Sequence, residues 1–390
     1  MIDYSRVLNK TVTEIKPSGI RRFFDIAATM DNVISLGVGE PDFQTPWQIR
    51  KAGINSLEKG KTKYTSNKGD AKLLEEISTY MKRKFGLTYN PLNEILVTVG
   101  GSEAIDAAIR ALVAVGDEVI IPQPSYVCYE PITRLAGGVP VIINTKAEND
   151  FKVTPEELKA AITDKTKVLV LPYPCNPTGA IMEREDLEKL ADVLKDTDIM
   201  VLSDEIYAEL TFGGKPHVSP ASVDCMFERT VTINGFSKAF SMTGWRMGYA
   251  CAPAPIMEQM IKIHQFAIMC APTTSQYAAI EALKNCDGEV EYMVNEYNMR
   301  RRIMVAGFNR IGLTCREPKG AFYAFPSIES TGMTSEEFCE KLLHSKKVAV
   351  VPGTAFGDSG EGFIRASYCY SVEHINEAIR RIDEFLKELR

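Results

Sequence analysis

Two basic residues with unusual neighbours are the first in this sequence whose types and spacing suggest chemistry. Lys238 follows Ser237 in the stretch Gly-Phe-Ser-Lys-Ala-Phe-Ser-Met-Thr, and Arg246 stands a little further on, after Ser241 and Thr243. A lysine that is desolvated beside another cation can lose its proton and attack a carbonyl carbon. The hydroxyls and the guanidinium are groups that bind anions. The stretch therefore predicts a carbonyl-reactive lysine next to an anion site, whereas most single lysines are solvated surface residues.

Polar residues also follow three apolar runs that are typical of strands. Gly100 and Gly101 precede a helix predicted to begin at Ser102, whose free N–H groups could hold a phosphate. Asn176 begins Asn-Pro-Thr-Gly, and Asp204 lies in Ser-Asp-Glu-Ile-Tyr. Each has a purely structural alternative, namely a turn for the glycines and Asn176 and a helix N-cap for Asp204. Because ligands of open α/β sheets bind beyond the carboxyl ends of the strands, we expect these residues to meet in one crevice.

Pyridoxal 5′-phosphate is the cofactor whose needs this set of residues meets. It carries an aldehyde that reacts with lysine, a pyridine nitrogen that a carboxylate can hold protonated, a phenolate oxygen that needs donors, and a phosphate. Lys238 and Asp204 match the first two, and the glycine turn with Ser237 and Arg246 offers a phosphate seat. The sequence therefore predicts a pyridoxal-phosphate site.

The elements that position these residues alternate along the chain. Short runs rich in Val and Ile are typical of strands covered on both faces, and amphipathic stretches lie between them. This alternation predicts an α/β fold whose large domain has a mostly parallel sheet flanked by helices. After about residue 285, a long charged helix, two strand-like runs and a closing helix predict a smaller α+β domain. The predicted large-sheet strands are EILVTV, DEVIIPQ, KVLVLPYP, IMVLSDE, TVTING and RMGYACAP.

Composition narrows the possible functions. The chain has 390 residues, a formal charge of −6 and 25% charged residues, so it lacks the basic excess that favours binding to nucleic acid or an anionic membrane. No apolar stretch approaches the length of a membrane helix or a signal sequence, and we expect a cytoplasmic protein. Nine scattered cysteines predict free thiols, and four histidines without i, i+4 spacing argue against a metal site.

The ordered motifs resemble those of a known enzyme family. They follow one another across almost the whole chain as GEPDF, YTSNKG, GGSEA, NPTG, SDEIY, SKAFSMTGWRMG and RAS. The set resembles the class I/II aminotransferases of pyridoxal-phosphate fold type I. The resemblance implies that residues 46–285 form a large cofactor-binding domain and that residues 1–45 and 286–390 together form the small domain.

The resemblance also implies catalytic roles for Lys238, Asp204 and Tyr207 and a supporting role for Asn176. Lys238 would bind the cofactor covalently and carry a proton between the substrate Cα and C4′ of the cofactor. Asp204 would hold the pyridine nitrogen protonated. Asn176 and Tyr207 would bond the phenolate oxygen.

Further contacts are implied by position in the motifs. Arg365 would bind the substrate α-carboxylate, with the backbone of Gly39 and the Asn176 side chain beside it. Tyr64 would reach the phosphate of the neighbouring subunit, which implies a homodimer with shared active sites. The other implied cofactor contacts are Gly100, Gly101, Ser102, Ser237 and Arg246 around the phosphate, and Tyr126 stacked on the ring.

Substrate choice depends on the group that binds a distal carboxylate. No arginine stands between Met247 and Met299, where animal-type aspartate aminotransferases carry one, and Ser102 stands where a bacterial subgroup has a lysine. Either Arg21 or Arg22 takes this role, or the side-chain pocket is mainly apolar. The motifs look most like those of bacterial aromatic, aspartate and N-acetyl-L,L-diaminopimelate aminotransferases. We therefore expect an L-amino acid of one of these types to react with 2-oxoglutarate by ping-pong chemistry.

Three other functions stay open. A C–S β-lyase of the same fold would use the same lysine and the same carbanion. A nicotinamide oxidoreductase would need a third glycine and a helix after Gly37-Val-Gly39, where Pro41 stands instead. A ligand-sensing domain of a transcription regulator is disfavoured because no DNA-binding segment is recognised and Lys238 is intact.

Overall fold

The computed structural model describes residues 2–17, 19 and 30–389. In that part of the chain, one large sheet is covered by helices on both faces, and two small sheets are built mainly from later residues. The strands are β1 (Ile34–Ser35), β2 (Ile95–Thr98), β3 (Glu118–Gln123), β4 (Val139–Asn144), β5 (Thr166–Leu171), β6 (Met200–Asp204), β7 (Thr230–Gly235), β8 (Gly248–Cys251), β9 (Tyr323–Ala324), β10 (Val348–Ala349), β11 (Val351–Pro352) and β12 (Ile364–Ser367).

The helices include short ones near the N-terminus and a long one that begins the C-terminal part. The α-helices within the described ranges are α1 (Tyr4–Val7), α2 (Lys10–Glu14), α3 (Trp47–Glu58), α4 (Ala71–Phe85), α5 (Gly101–Leu112), α6 (Tyr129–Leu135), α7 (Pro155–Ala161), α8 (Arg184–Leu194), α9 (Ala254–Ala267), α10 (Thr273–Asn285), α11 (Asp287–Ile311), α12 (Ser335–Lys346) and α13 (Val372–Glu388).

The large sheet has seven strands in the order β2-β8-β7-β6-β5-β3-β4. β8 runs antiparallel to β2 and β7, and the other neighbouring strands are parallel. Successive residues of a central strand are buried on opposite faces. In β5, Leu169 packs in the cluster that contains α8, and Val170 packs in the cluster that contains α5. The predicted fold class, a mostly parallel sheet flanked by helices, is confirmed.

One strand of the large sheet, β4, was not predicted, nor were β1 and β12 of the small sheets, and one helix begins earlier than predicted. β4 lies at the sheet edge, is only partly buried and contains Pro140. A proline inside an apolar run argues against a strand, because it cannot donate to the hydrogen-bond ladder. Helix α5 begins at Gly101, one residue before the predicted Ser102, because Gly100 takes the N-cap position with a φ of 78°. Such a φ favours glycine. The helix ends at Leu112, before Gly116.

A separate apolar cluster holds the C-terminal part together. Phe322 and Tyr323 pack there with residues of α11, α12 and α13, and Ile34 and Leu36 belong to the same cluster. β1 also pairs with β10, so residues near 34 are bonded to the C-terminal part. The β11-β12-β9 sheet of this part borders the large sheet's carboxyl edge and supplies residues to the site described next.

Candidate active site

A cavity of about 520 Å³ lies where strands β2, β5, β6 and β7 end. It collects most of the predicted site residues from distant parts of the chain. Those that line it are Gly39, Gly101, Ser102, Tyr126, Asn176, Asp204, Tyr207, Ser237, Lys238, Arg246 and Arg365. Gly100 does not line the cavity and lies next to the Arg246 guanidinium.

Lys238 follows strand β7 and reaches across the cavity toward the N-terminal segment. Its Nζ donates a hydrogen bond to the Gly39 backbone oxygen at 2.6 Å. Burial lowers the pKa of Lys238 to about 8, and the positive charges of Arg365 and Arg246 act in the same direction. A substantial fraction of this amine is therefore neutral near pH 8, which is the state that attacks a carbonyl carbon.

Asp204 is the last residue of β6 and is 7% exposed. The Tyr129 hydroxyl donates to Oδ2 at 2.6 Å, and the Ile206 backbone N–H donates to Oδ1 at 3.2 Å. Burial raises the pKa of Asp204, while these hydrogen bonds and the charge of Lys238 offset part of the shift. No helix begins at Asp204, so the N-cap alternative is wrong. A cationic ligand atom placed beside this carboxylate would stabilise its ionised form.

Arg365 lies on β12 and is 2% exposed. Its Nη1 donates to Asn176 Oδ1 at 2.8 Å, Nη2 donates to the Gly37 backbone oxygen, and Nε has no partner among the described residues. No carboxylate in the described ranges forms an ion pair with it. Because a buried charge without a counter-ion is costly, this guanidinium is suited to an anion that enters the cavity.

Two tyrosine hydroxyls meet between Arg365 and Lys238. Tyr207 Oη lies 2.8 Å from Tyr323 Oη. The Arg365 Cζ atom lies 4.4 Å from the centroid of the Tyr323 ring, and Lys238 Nζ lies 5.9 Å from the Tyr207 ring. Burial raises the pKa of Tyr207 well above its ordinary value, so its hydroxyl group keeps its proton and can donate.

The start of α5 and the residue Arg246 form a second anion-binding region. A Cβ atom added to Gly100 would lie 2.6 Å from Arg246 Nη2, so the glycine allows the guanidinium to approach the backbone. Arg246 has a φ of 54° and is held by a hydrogen bond from Nη1 to the Thr243 oxygen at 3.0 Å. The backbone N–H groups of Gly101 and Ser102 open α5, where anions are favoured.

One predicted site residue, Tyr64, lies away from the cavity, and two tyrosines that were not predicted line it. Tyr64 does not line the cavity and is 80% exposed in this single chain. Tyr129 and Tyr323 were not predicted, although both line the cavity. Tyr129 stands close to the predicted Tyr126 in the sequence, and the two rings meet edge to face with centroids 6.1 Å apart. Arg21 and Arg22 lie outside the described residues.

The cavity wall carries more positive than negative charge. Lys238, Arg246 and Arg365 line it, against the single lining carboxylate of Asp204. Such a surface favours a ligand with at least two anionic groups. Among the described residues, no group of three or more His, Cys, Asp or Glu side chains is placed to hold a metal ion.

None of the described helices is both long and apolar enough to cross a membrane.

Comparisons with known proteins agree on the kind of protein. Residues 31–382 match the family model described as aminotransferase class I and II. YugH of Bacillus subtilis (strain 168), an aminotransferase by name, is 54% identical over 97% of this chain and 98% of its own length. The aspartate aminotransferase of Pyrococcus abyssi is 46% identical over 96% of this chain and 97% of its own.

A solved structure shows the same architecture. The crystal structure of an aromatic aminotransferase from Pyrococcus horikoshii OT3 superposes with a TM-score of 0.90 at 44% identity. The superposition covers 94% of this chain and 99% of that one.

Proposed function

We propose that this chain, which belongs to the class I and II aminotransferase family, moves an amino group between an L-amino acid and 2-oxoglutarate in two successive half-reactions. Pyridoxal 5′-phosphate is the proposed cofactor, because enzymes of this family depend on it. The observation that carries the proposal is one cavity that holds both a lysine with a pKa of about 8 and a buried arginine with no counter-ion among the described residues. The first suits carbonyl chemistry, and the second suits an amino acid's carboxylate.

The residues present fit pyridoxal phosphate. Arg365 Nε has no partner in the part of the chain that the structure describes, and Arg246 closely approaches Gly100. These two features provide for two anionic groups at different ends of the cavity. We infer that Ser237, Arg246 and the start of α5, with Gly100, Gly101 and Ser102, hold the phosphate, and that Tyr126 covers the ring. When bound, the cofactor supplies an electron sink that stabilises negative charge at the substrate Cα.

Lys238 has two tasks in this proposal. As a neutral amine it would hold the cofactor through the aldehyde carbon, with loss of water, and as a free amine it would carry a proton between the substrate Cα and C4′. The hydrogen bond from Nζ to the Gly39 oxygen points the side chain toward the substrate side of the cavity. A pKa of about 8 suits this exchange because the amine can both accept and release a proton near neutral pH.

Three other side chains hold protons at stated atoms. Asp204 holds a proton on the cofactor's pyridine nitrogen, and Tyr129 keeps the carboxylate oriented through Oδ2. Tyr207 donates to the phenolate oxygen. Asn176 accepts from Arg365 through Oδ1, so its NH₂ group is the part that can donate to the same phenolate oxygen.

Arg365 and Gly39 define the substrate end. We infer that Arg365 binds the α-carboxylate with two of its N–H groups. For the second substrate, we propose an aromatic, aspartate or N-acetyl-L,L-diaminopimelate type of amino acid. Relatives named for aspartate and aromatic substrates support the first two. In this proposal the cofactor and the α-carboxylate use all the cationic side chains that line the cavity. A distal carboxylate of the substrate would therefore need a cationic group from outside the cavity lining. Arg21 and Arg22 are the candidates for that group.

We also propose a homodimer in which Tyr64 reaches the partner's phosphate. Its exposure in a single chain supports a contact made outside that chain. In this proposal the small domain consists of residues 1–45 and 286–390, as the cluster that joins Ile34 and Leu36 to the C-terminal part suggests. A cytoplasmic location stays a prediction from sequence.

Visible absorbance of the cofactor tests the function. The purified protein, loaded with pyridoxal phosphate, should change its spectrum with L-glutamate and return to the first spectrum with 2-oxoglutarate. The Lys238→Ala variant should bind the cofactor without cycling, and Lys195→Ala, a change at an exposed lysine, should cycle normally. Absence of cycling in the unmodified protein would contradict the proposal, and pyruvate release from β-chloroalanine without cycling would favour the β-lyase.

A further inference from the structure

Tyr323 is a buried residue at the centre of the candidate site that no motif identified. It is 1% exposed and lies on β9, beside the strand that carries Arg365. Its hydroxyl oxygen is 2.8 Å from that of Tyr207, and its ring covers the Arg365 guanidinium at 4.4 Å. A single side chain therefore touches the group proposed for the phenolate oxygen and the group proposed for the substrate carboxylate.

Sheet register explains the contact with Arg365. β9 and β12 are antiparallel, and Tyr323 is paired with Ser367. Arg365 lies two residues before Ser367, on the same face of β12, because side chains alternate along a strand. This diagonal spacing is within the reach of an aromatic ring and a long side chain. The Phe356 ring lies 4.8 Å from the same Cζ atom, so the guanidinium is held by two aromatic rings.

The Tyr323 hydroxyl also restricts which residue can stand at position 39. A Cβ atom added to Gly39 would lie 2.4 Å from Tyr323 Oη, so a residue with a side chain could not keep this backbone position. The Gly39 oxygen is the acceptor for Lys238. The tyrosine is thus packed against the backbone that receives the lysine.

The two tyrosines have one proton each to donate. If Tyr207 donates its proton to an anionic oxygen in the cavity, it can only accept from Tyr323, so Tyr323 becomes the donor in the pair. Hydrogen bonds that run in one direction polarise each other, and Tyr207 becomes a stronger donor.

We propose that Tyr323 is a positioning residue of the active site: its hydroxyl group fixes the direction of the Tyr207 hydrogen bond, and its ring holds the Arg365 guanidinium for the substrate carboxylate. The inference rests on the proposed function, since Tyr207 and Arg365 take these roles there. The proposal gives a different role to each half of the tyrosine side chain. The hydroxyl group acts on the cofactor, and the ring acts on the substrate.

Two substitutions separate these halves. Tyr323→Phe removes the hydroxyl group and keeps the ring, whereas Tyr323→Leu removes both. The control is Tyr368→Phe, because Tyr368 is buried in the same cluster and its hydroxyl donates to the Ala321 oxygen at 3.0 Å and not to Tyr207. The control loses a buried hydrogen bond of a tyrosine and should lose some thermal stability, without a change at the cofactor.

The first measurement is the pH midpoint of the absorbance change of the bound cofactor, without substrate. A weaker Tyr207 donor leaves more negative charge on the phenolate oxygen, so the protonated form of the bound cofactor persists to higher pH. We expect both Tyr323 variants to raise the midpoint by about half a pH unit. The other titratable or charged groups near the tyrosine pair are Lys238, Arg365, Cys369 and Tyr126, and all of them are kept in these variants.

The second measurement is the dissociation constant of two unreactive carboxylic acids, maleate and 3-phenylpropionate. Tyr323→Phe should keep the wild-type constant within about twofold, and Tyr323→Leu should weaken binding about tenfold, the scale of a desolvated cation–π contact. An unchanged midpoint in Tyr323→Phe, or an equal shift in Tyr368→Phe, would overturn the inference while the wild-type spectrum still cycles with L-glutamate. A wild-type protein that does not cycle would overturn the proposed function and this inference together.

Discussion

Asp204 and Glu205 are consecutive acidic residues that face opposite sides of the large sheet, and their surroundings differ. Asp204 receives hydrogen bonds from Tyr129 and Ile206 and still lines the cavity. Glu205 is fully buried and lies outside the cavity lining. Its Oε1 accepts from Ser203 at 2.9 Å and from Ser219 at 2.7 Å.

The other Glu205 oxygen is also paired. Oε2 lies 2.7 Å from His217 Nε2, and the His217 side chain is 4% exposed. This group joins the end of β6 to the segment that contains His217 and Ser219. A buried carboxylate whose oxygens are all bonded within the chain stabilises the fold, whereas one that keeps an open side toward a cavity can act on a ligand. Position in the sequence does not distinguish the two, but the distribution of hydrogen-bond partners does.

Among the substitutions that keep Lys238, Asp204→Asn should have the largest effect on turnover. The amide cannot stabilise a proton on the pyridine nitrogen, so kcat/KM should fall by about 10²- to 10³-fold. The unfolding midpoint should stay near that of the wild type, because the variant keeps an oxygen for Tyr129 and removes a buried charge. Steady-state kinetics and denaturant unfolding check the two parts. A large loss of stability would instead place Asp204 with Glu205 as a structural residue.

Arg365→Lys should have the next largest effect. A lysine keeps the charge but loses the two parallel donors, so KM for the amino acid should rise by about 10- to 100-fold, with a smaller change in kcat. The measurement is the dependence of initial rate on amino-acid concentration. Arg316→Lys is a matched control, because that arginine is half-exposed and pairs with Asp150 on the surface. Equal KM values in Arg365→Lys and in the wild type would rule out the proposed carboxylate contact.

The pH dependence of Lys238 should be smaller but distinctive. Above its lowered pKa of about 8 the amine is neutral, so aldehyde capture by the cofactor-free protein should rise about tenfold between pH 7 and pH 9 and then level off. An ordinary lysine would gain about 100-fold over the same range and continue to rise.

Borohydride trapping of pyridoxal phosphate, followed by peptide mapping, reports this rate for Lys238 alone. The titratable groups that act on the pKa of Lys238 are Arg365 and Arg246, which lower it, and Cys369 and Glu40, which raise it. A profile that rises steadily to pH 10 would contradict the lowered pKa.

Glu205→Gln should affect turnover least and stability most. The amide presents an NH₂ group where one carboxylate oxygen now accepts, so the free energy of unfolding should fall by about 1–3 kcal/mol, while kcat/KM stays within about twofold. Denaturant unfolding measures the change in the free energy of unfolding. A double-mutant cycle with His217→Gln should give a coupling energy well above zero, and additive losses would show that the two residues do not act as a unit.

The sequence predicted those parts of the site that follow from strand ends. Asn176, Asp204 and Lys238 come shortly after runs of buried Val, Ile and Leu, and the carboxyl ends of neighbouring parallel strands must meet. β4 escaped prediction because Pro140 stands inside its apolar run, and the antiparallel direction of β8 has no local signature.

Contacts between distant segments could not be predicted in the same way. The bond between Arg365 and Asn176 joins residues 189 positions apart, and it depends on how the C-terminal sheet packs against the large one. Tyr323 was recognised only as part of a strand-like run, since nothing in AFYAFPS shows which ring faces the site. Tyr126 was predicted as a site residue and Tyr129 was not. The turn between them decides whether each side chain points into the cavity, and the sequence does not show how that turn is folded.

The most direct test of the difference between the two carboxylates is cofactor cycling in matched variants. Asp204→Asn and Glu205→Gln, each loaded with pyridoxal phosphate, would be mixed first with L-glutamate and then with 2-oxoglutarate while the visible spectrum is recorded. We predict that Glu205→Gln cycles at nearly the wild-type rate and that Asp204→Asn cycles at least about 10²-fold more slowly. Equal slowing of both variants, or normal cycling in Asp204→Asn, would contradict the assignment of Asp204 to the active site.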